Sequence, residues 1–140
     1  MGITYTDHMT GEEYNELRLS VDWKPLTPGQ AKRGLAHTAF VVTARDGEKV
    51  VGMGRMLFDF GYTAYLGDVI VRPEYQGMGI GTEIVNRLKD MVMEAAEPGD
   101  KIMFILGAAK GKEAFYEKFG FKVRPKDFSG CGMSMWREKE

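Results

Sequence analysis

Apolar and polar positions change rhythm several times along this chain, and each change marks an element. Ile3-Thr4-Tyr5-Thr6 alternates, which predicts a first strand. Thr10 and Glu13 have capping-box spacing ahead of Tyr14, Leu17, Leu19 and Val21, which predicts a helix beginning at Thr10. Trp23-Lys24-Pro25 breaks that pattern. Thr27 and Pro28 then predict the cap and first position of a second helix reaching about Leu35. His37 to Ala44, rich in Thr, Val and Phe, reads as a strand. Arg45-Asp46-Gly47-Glu48 reads as a hairpin turn and Lys49 to Phe58 as the partner strand. A turn at Phe60-Gly61 leads into another strand, Tyr62 to Val71.

From Thr82 to Glu97 the period becomes helical, with Ile84, Val85, Leu88, Met91, Val92, Ala95 and Ala96 on one face, until Pro98-Gly99 stops it. Lys101 to Leu106 is apolar without alternation, the pattern of a central strand. Lys110 to Phe119 reads as a helix with Gly120 as its left-handed cap. Phe121 to Arg124 and Cys131 to Trp136 read as the last two strands. The order predicts an α/β chain of the α+β kind: about seven strands in a mixed, mostly antiparallel sheet, flanked by about four helices. With no repeat, linker or low-complexity segment, residues 1–140 read as a single domain.

Composition narrows the functional classes. Of 140 residues, 44% are hydrophobic and 28% charged, enough apolar surface for a core without staples. A net charge of −1 gives no overall electrostatic footprint for nucleic acid. No run of about 18 apolar residues predicts a membrane span. The opening Met1-Gly2-Ile3-Thr4-Tyr5 lacks the layout of a signal peptide. Cys131 is the only cysteine, so no internal disulfide forms, and a cytoplasmic setting is expected. Two histidines and one cysteine, widely spaced, predict no metal site. The methionines fall at apolar strand and helix positions and read as core filler.

The candidate chemistry sits where the strand ending at Val71 hands over to the long helix. Gln76-Gly77-Met78-Gly79-Ile80-Gly81 places three glycines at alternate positions in front of a helix N-terminus. Such a terminus has unbonded N–H groups and partial positive charge, and glycines let backbone close around an anion. The segment reads as a phosphate cradle. A nucleotide P-loop requires Gly-Lys-Ser/Thr at its end, whereas this loop ends Gly81-Thr82. A dinucleotide fingerprint counted from Gly77 would put its third glycine at Thr82, and it expects a preceding βαβ chain rather than a meander.

The stretch from Val69 to Gly81 resembles the signature of the GNAT superfamily of N-acetyltransferases, Gln/Arg-x-x-Gly-x-Gly/Ala after a strand, filled here by Gln76, Gly79 and Gly81. One helix and one strand later, Ala114-Phe115-Tyr116-Glu117-Lys118-Phe119-Gly120-Phe121 resembles the superfamily's second signature. With the order of elements, the resemblance covers nearly the whole chain and implies the GNAT acyl-CoA N-acyltransferase fold. It implies acetyl-CoA as donor, with its pyrophosphate on Gly77, Met78, Gly79, Ile80, Gly81 and Thr82, and Gln76 opening the loop. The pantetheine arm would pair along Val69, Ile70 and Val71, with a backbone N–H near Ile70 facing the oxyanion. Tyr116 stands where members place a general acid, and a phenol is protonated at neutral pH. Many relatives have an asparagine near position 109; here Ala109 cannot donate, and Lys110 or Lys112 is a candidate for a phosphate contact, with a solvated lysine as the favoured competing reading.

Asp68, a carboxylate inside an apolar strand, is the candidate general base, with a structural acceptor as the competing reading. Glu74 and His37 are further candidates. Cys131 has no histidine near it in sequence to make it an acyl-enzyme nucleophile. For the acceptor side the resemblance points to Arg18, Trp23, Phe58, Tyr62 and Tyr65. The expected reaction is direct acetyl transfer from acetyl-CoA to a primary amine of a small molecule. A protein or peptide acceptor, or an acyl-CoA-binding module without turnover, are the alternatives. The expected partners are the small-molecule amine and, by the superfamily's habit, a second copy in a homodimer; no nucleic acid and no membrane is expected.

Overall fold

A computed structural model describes residues Gly2 to Lys139. The chain gathers into two compact units, Met1–Phe104 and Ile105–Glu140.

The first unit begins with β1 (Ile3–Thr6), α1 (Gly11–Ser20) and α2 (Pro28–Ala36). The capping box is complete: Glu13 N–H donates to Thr10 Oγ1 at 3.1 Å, and Thr10 N–H donates to Glu13 Oε1 at 3.0 Å. Arg45 also donates to Glu13, at 2.6 and 3.0 Å, tying the start of α1 to the sheet and holding the Glu13 carboxyl below its ordinary range. Thr27 caps α2 through Gln30 N–H, with Pro28 in the first turn. Asn15 clamps the loop between the helices, donating to Leu26 O at 2.9 Å and accepting from Leu26 N–H at 2.8 Å.

Next come β2 (Phe40–Asp46), β3 (Lys49–Phe58), β4 (Thr63–Val71), α3 (Ile80–Ala95) and β5 (Met103–Ile105). The five strands form a mixed sheet in the order β1-β2-β3-β4-β5, with antiparallel pairing from β1 to β4. Gly47 and Glu48 make the β2–β3 turn, with Gly47 at φ 61°. The sheet is covered on both faces. α3 packs on β2, β3 and β4 through Ile80, Ile84, Val85, Leu88 and Val92. It approaches so closely that a Cβ on Gly54 would stand 2.6 Å from Ile84 Cγ2. On the other face Tyr14, Leu17 and Ala31 of the helix pair meet Val50, Met53 and Ile70.

In the second unit, α4 (Glu113–Glu117) carries Phe115 and Tyr116, whose rings lie 5.0 Å apart, and Tyr116 packs 6.1 Å from Phe121. Gly120, at φ 99°, turns the chain out of this helix.

Two sequence expectations are corrected. Lys101 to Leu106 does not form a central strand; β5 is a three-residue strand at the end of the sheet order. Its apolar run reflects local composition rather than strands on both sides. Nor do Phe121–Arg124 and Cys131–Trp136 form strands, so the described sheet has five strands instead of about seven. Pro125 has no N–H to donate, glycines flank Cys131, and among the described residues the only pairing after α4 is an isolated bridge between Lys126 and Ser129. Val123, Met133, Met135 and Trp136 are exposed. Their strand-like composition describes a fit to a pleated, half-buried surface, and no neighbouring strand provides one.

Candidate functional site

Two structures grow from the last residues of β4. The first is built of backbone. Met53 pairs with Ile70 but Arg55 pairs with Gly67, so β4 carries one extra residue opposite Gly54, and Asp68 adopts φ 51°. Beyond this bulge Arg72 N–H donates inward to Val51 O at 2.8 Å. Alternation along the strand then turns the N–H of Ile70 toward β3 and those of Val69 and Val71 away from it. The Ile70 side chain is buried in the core. The outward groups therefore belong to Val69 and Val71, which refines the expectation of an N–H near Ile70. This outer edge is open among the described pairings. β5 meets β4 at its start, where Met103 N–H donates to Tyr62 O at 2.7 Å, and three residues of β5 span only about 10 Å.

After β4 the chain makes a 3₁₀ turn, Pro73–Tyr75, and enters α3. Tyr75 Oη donates to Asp46 Oδ2 at 2.6 Å, which pins the turn to the β2–β3 hairpin and raises the Tyr75 pKa. Gln76 Nε2 donates back to Val71 O at 2.9 Å, so Gln76 closes the turn with its side chain. Gly77 and Gly79 both adopt left-handed backbone, at φ 82° and 83°. Gly79 is the N-cap of α3, and no side chain caps that terminus. No protein atom lies within 4 Å of where a Cβ would stand at either glycine. Ile80 anchors the loop with a buried side chain, and Met78 is exposed. The left-handed turns at Gly77 and Gly79 thus lead, with room beside both, into the positive end of a 16-residue helix.

The second structure is built of side chains. Asp68 Oδ2 accepts hydrogen bonds from Tyr14 Oη and from Arg55 Nε, the latter at 2.8 Å, while Arg18 Nη1 stands 3.7 Å from Oδ1. The side chains of Arg18, Asp68 and Arg55 are only 14%, 18% and 21% exposed. Arg55 Nη1 also donates to Thr38 Oγ1 at 2.9 Å, and Arg18 Nε donates to Lys24 O at 2.8 Å. The Arg18 guanidinium lies 5.5 Å from the Trp23 ring centre and 6.0 Å from that of Tyr14. Burial and the Asp68 hydrogen bond push the Tyr14 hydroxyl up to about 12, so it stays a neutral donor. Burial opposes the charge on Arg55, yet the hydrogen bond to Asp68 keeps its pKa above the ordinary value.

Of the residues expected on the acceptor side, Arg18 and Trp23 join this cluster. Tyr65 shares its face of the sheet: it pairs with Leu57, two residues beyond Arg55. Phe58 does not. Gly54 faces Ile84 and Leu88, and Phe58, four residues on, shares that α3 face, stacked on Phe40 at 6.5 Å and tilted against Phe60 at 4.9 Å. Tyr62 lies outside the strands, exposed, with its carbonyl joined to β5. Tyr14 and Arg55 were missed as site residues. The available signal for Arg55 was a charge inside the apolar run Met53 to Phe58; for Tyr14 it was its place one helical turn before Arg18. Of the other base candidates, Glu74 is exposed and ion-paired with Lys49 at 3.8 Å, and His37 Nδ1 lies 2.9 Å from Arg33 O at the end of α2. Among the described residues no three His, Cys, Asp or Glu side chains converge as a metal site, and no helix is long and apolar enough to cross a membrane.

Comparison with known proteins agrees with this architecture. The family model for the acetyltransferase (GNAT) family matches residues 6–121, across both units. The chain belongs to the GNAT family of acetyltransferases. It is 25% identical over 132 residues to the uncharacterized N-acetyltransferase ycf52 of Porphyra purpurea, covering 91% of this chain and 74% of that one. It is 33% identical over 83 residues to the chloroplastic GCN5-related N-acetyltransferase 2 of Arabidopsis thaliana, covering 59% of this chain and 31% of the plant protein. Among solved structures, Staphylococcus aureus SA2161, a probable acetyltransferase, superposes with a TM-score of 0.86 at 28% identity, covering 97% of this chain and all of that one.

Proposed function

We propose that this chain transfers an acetyl group from acetyl-CoA to a primary amine of a small molecule. The observation that carries the proposal is the continuity of the open β4 edge with the glycine nest at the start of α3, in a member of the acetyltransferase family. The Gly77–Thr82 loop suits a pyrophosphate: there is room beside Gly77 and Gly79, and the helix terminus favours negative charge. The outward N–H and C=O groups of Val69 and Val71 suit an amide-bearing arm laid along the strand, although the Val71 carbonyl already accepts from Gln76. Acetyl-CoA supplies a thioester whose C–S bond breaks as the amine forms a C–N bond.

The chain's own residues then have separable tasks. An outward N–H of the Val69–Val71 edge donates to the carbonyl oxygen as it gains negative charge. Tyr116 donates a proton to the departing sulfur and is restored by the proton the amine nitrogen loses, relayed through water. Asp68 is a positioning residue rather than the base, because Tyr14 and Arg55 already bond one of its oxygens and Arg18 stands beside the other. A cytoplasmic setting accords with the single cysteine of the chain.

Thiol release from acetyl-CoA, measured against a panel of small amines and lysine peptides, tests the proposal. Binding of acetyl-CoA without release from any acceptor would leave an acyl-CoA-binding module, and release with peptides alone would transfer the activity to a protein acceptor. Tyr116→Phe should lower turnover about 10²–10⁴-fold with little change in acetyl-CoA affinity. An unchanged rate would remove Tyr116 as the acid.

A further inference from the structure

The cluster around Asp68 carries more positive charge than it neutralises. Arg18 and Arg55 bring two positive charges, Asp68 one negative, and the Tyr14 hydroxyl is neutral, which leaves one net positive charge. The excess resides mainly on Arg18. Its Nη1 is 3.7 Å from Asp68, beyond hydrogen-bond distance, and its Nε is taken by Lys24 O. Among the described residues neither terminal nitrogen donates a hydrogen bond to a protein acceptor, and no buried side-chain nitrogen is left unpartnered, so these nitrogens reach solvent. Stacking on Trp23 and the clasp to Lys24 fix the guanidinium in place without occupying its fork.

The space beside this charge is also shaped. Gly67 pairs with Arg55 and offers no side chain of its own; a Cβ there would meet only the Tyr65 ring, at 3.5 Å. Leu57 and Tyr65 continue the same face as a directly opposed pair, each 40% exposed. A half-buried cation, an opening at a glycine and an apolar pair therefore follow one another along β3 and β4, starting at the bulge.

Building on the acetyltransferase reading above, we propose that the acceptor is a primary amine that also carries an anionic oxygen group, a carboxylate or a phosphate, bound by Arg18 with Arg55 behind it. A partly desolvated guanidinium fork matches such a group in geometry and gains more from it than from water. Asp68 and Tyr14 hold the two arginines in register for that contact.

The test compares matched acceptors: amino acids, the corresponding amino-acid amides and aminoalkylphosphonates, each with acetyl-CoA. The acids or the phosphonates should exceed the amides in kcat/KM by about 10- to 100-fold, and whichever of the two leads identifies the anion. Arg18→Gln should collapse that preference by raising KM for the acids and phosphonates far more than for the amides, while the acetyl-CoA Kd holds. A purely structural Arg18 would lower every acceptor alike. Equal use of acids, phosphonates and amides, or a preference that survives Arg18→Gln, overturns the inference. Calorimetric binding of N-acetyl amino acids against their amides reads the same preference without turnover. If the protein binds no acetyl-CoA, the acetyltransferase reading fails, while tighter binding of the acids still upholds the anion site and equal binding still overturns it.

Discussion

The backbone cradle after β4 and the side-chain cluster at its bulge lie within a dozen residues of each other, yet they are made in opposite ways. The cradle uses Gly77 and Gly79 at positive φ and the N–H groups at the start of α3, all from one short stretch. It is made by backbone shape, so it needs small residues and a helix behind them. The cluster draws Tyr14 and Arg18 from α1, Trp23 from the following loop, Thr38 from the turn before β2, Arg55 from β3 and Asp68 from β4. It is held by charge and side-chain geometry, so it is sensitive to each member. A donor shared across a family suits the first construction, and an acceptor peculiar to one protein suits the second.

This contrast is open to attack from both sides. The largest effect is expected at the cradle. Gly79→Glu puts a carboxylate and a Cβ where the phosphates would lie, and acetyl-CoA affinity should fall about 100-fold or more. Because no protein atom lies within 4 Å of that Cβ, the cost to folding should be confined to left-handed strain of about 1–2 kcal/mol. Calorimetric affinity beside a thermal melt separates the two; unchanged affinity would remove the phosphate role from the loop.

Asp68→Ala should do the reverse. It leaves Arg55 and Tyr14 without their shared acceptor and should cost about 1–3 kcal/mol by urea unfolding, while acetyl-CoA affinity holds. Equal stability in the variant would show that the cluster is not an interdependent unit.

The smallest effect is a pH dependence. Tyr14 titrates at about 12 in the fold against 10.0 for an ordinary tyrosine. A raised folded pKa contributes stability that is fully present below pH 10 and is lost as pH rises toward 12. Urea midpoints measured between pH 9 and 12 should therefore fall less steeply in Tyr14→Phe than in the original chain. Identical slopes would contradict the coupling of Tyr14 to Asp68.

Much of this molecule was legible before any coordinates. Thr10–Glu13 and Thr27–Pro28 announced both early helices because caps are local hydrogen-bond chemistry. Ile84, Val85, Leu88 and Val92 announced the buried face of α3, and Gln76 to Gly81 announced the glycine turn into that helix, since φ and helix start are settled within a few residues. Phe121–Arg124 and Cys131–Trp136 misled, because a strand exists only with a neighbour and composition does not provide one.

The sequence by itself therefore determined what is local: caps, helix faces and the glycine turn ahead of α3. Only the tertiary structure decided that Phe58 faces α3 rather than the Arg18 side, that an extra residue in β4 turns Val69 and Val71 outward, and that Tyr14 meets Asp68 across 54 positions of chain. The physical reason is that charge pairing and burial depend on distance in space. A carboxylate in an apolar strand is a base or an ion-pair partner according to what stands 3 Å away, and pattern along the chain does not contain that.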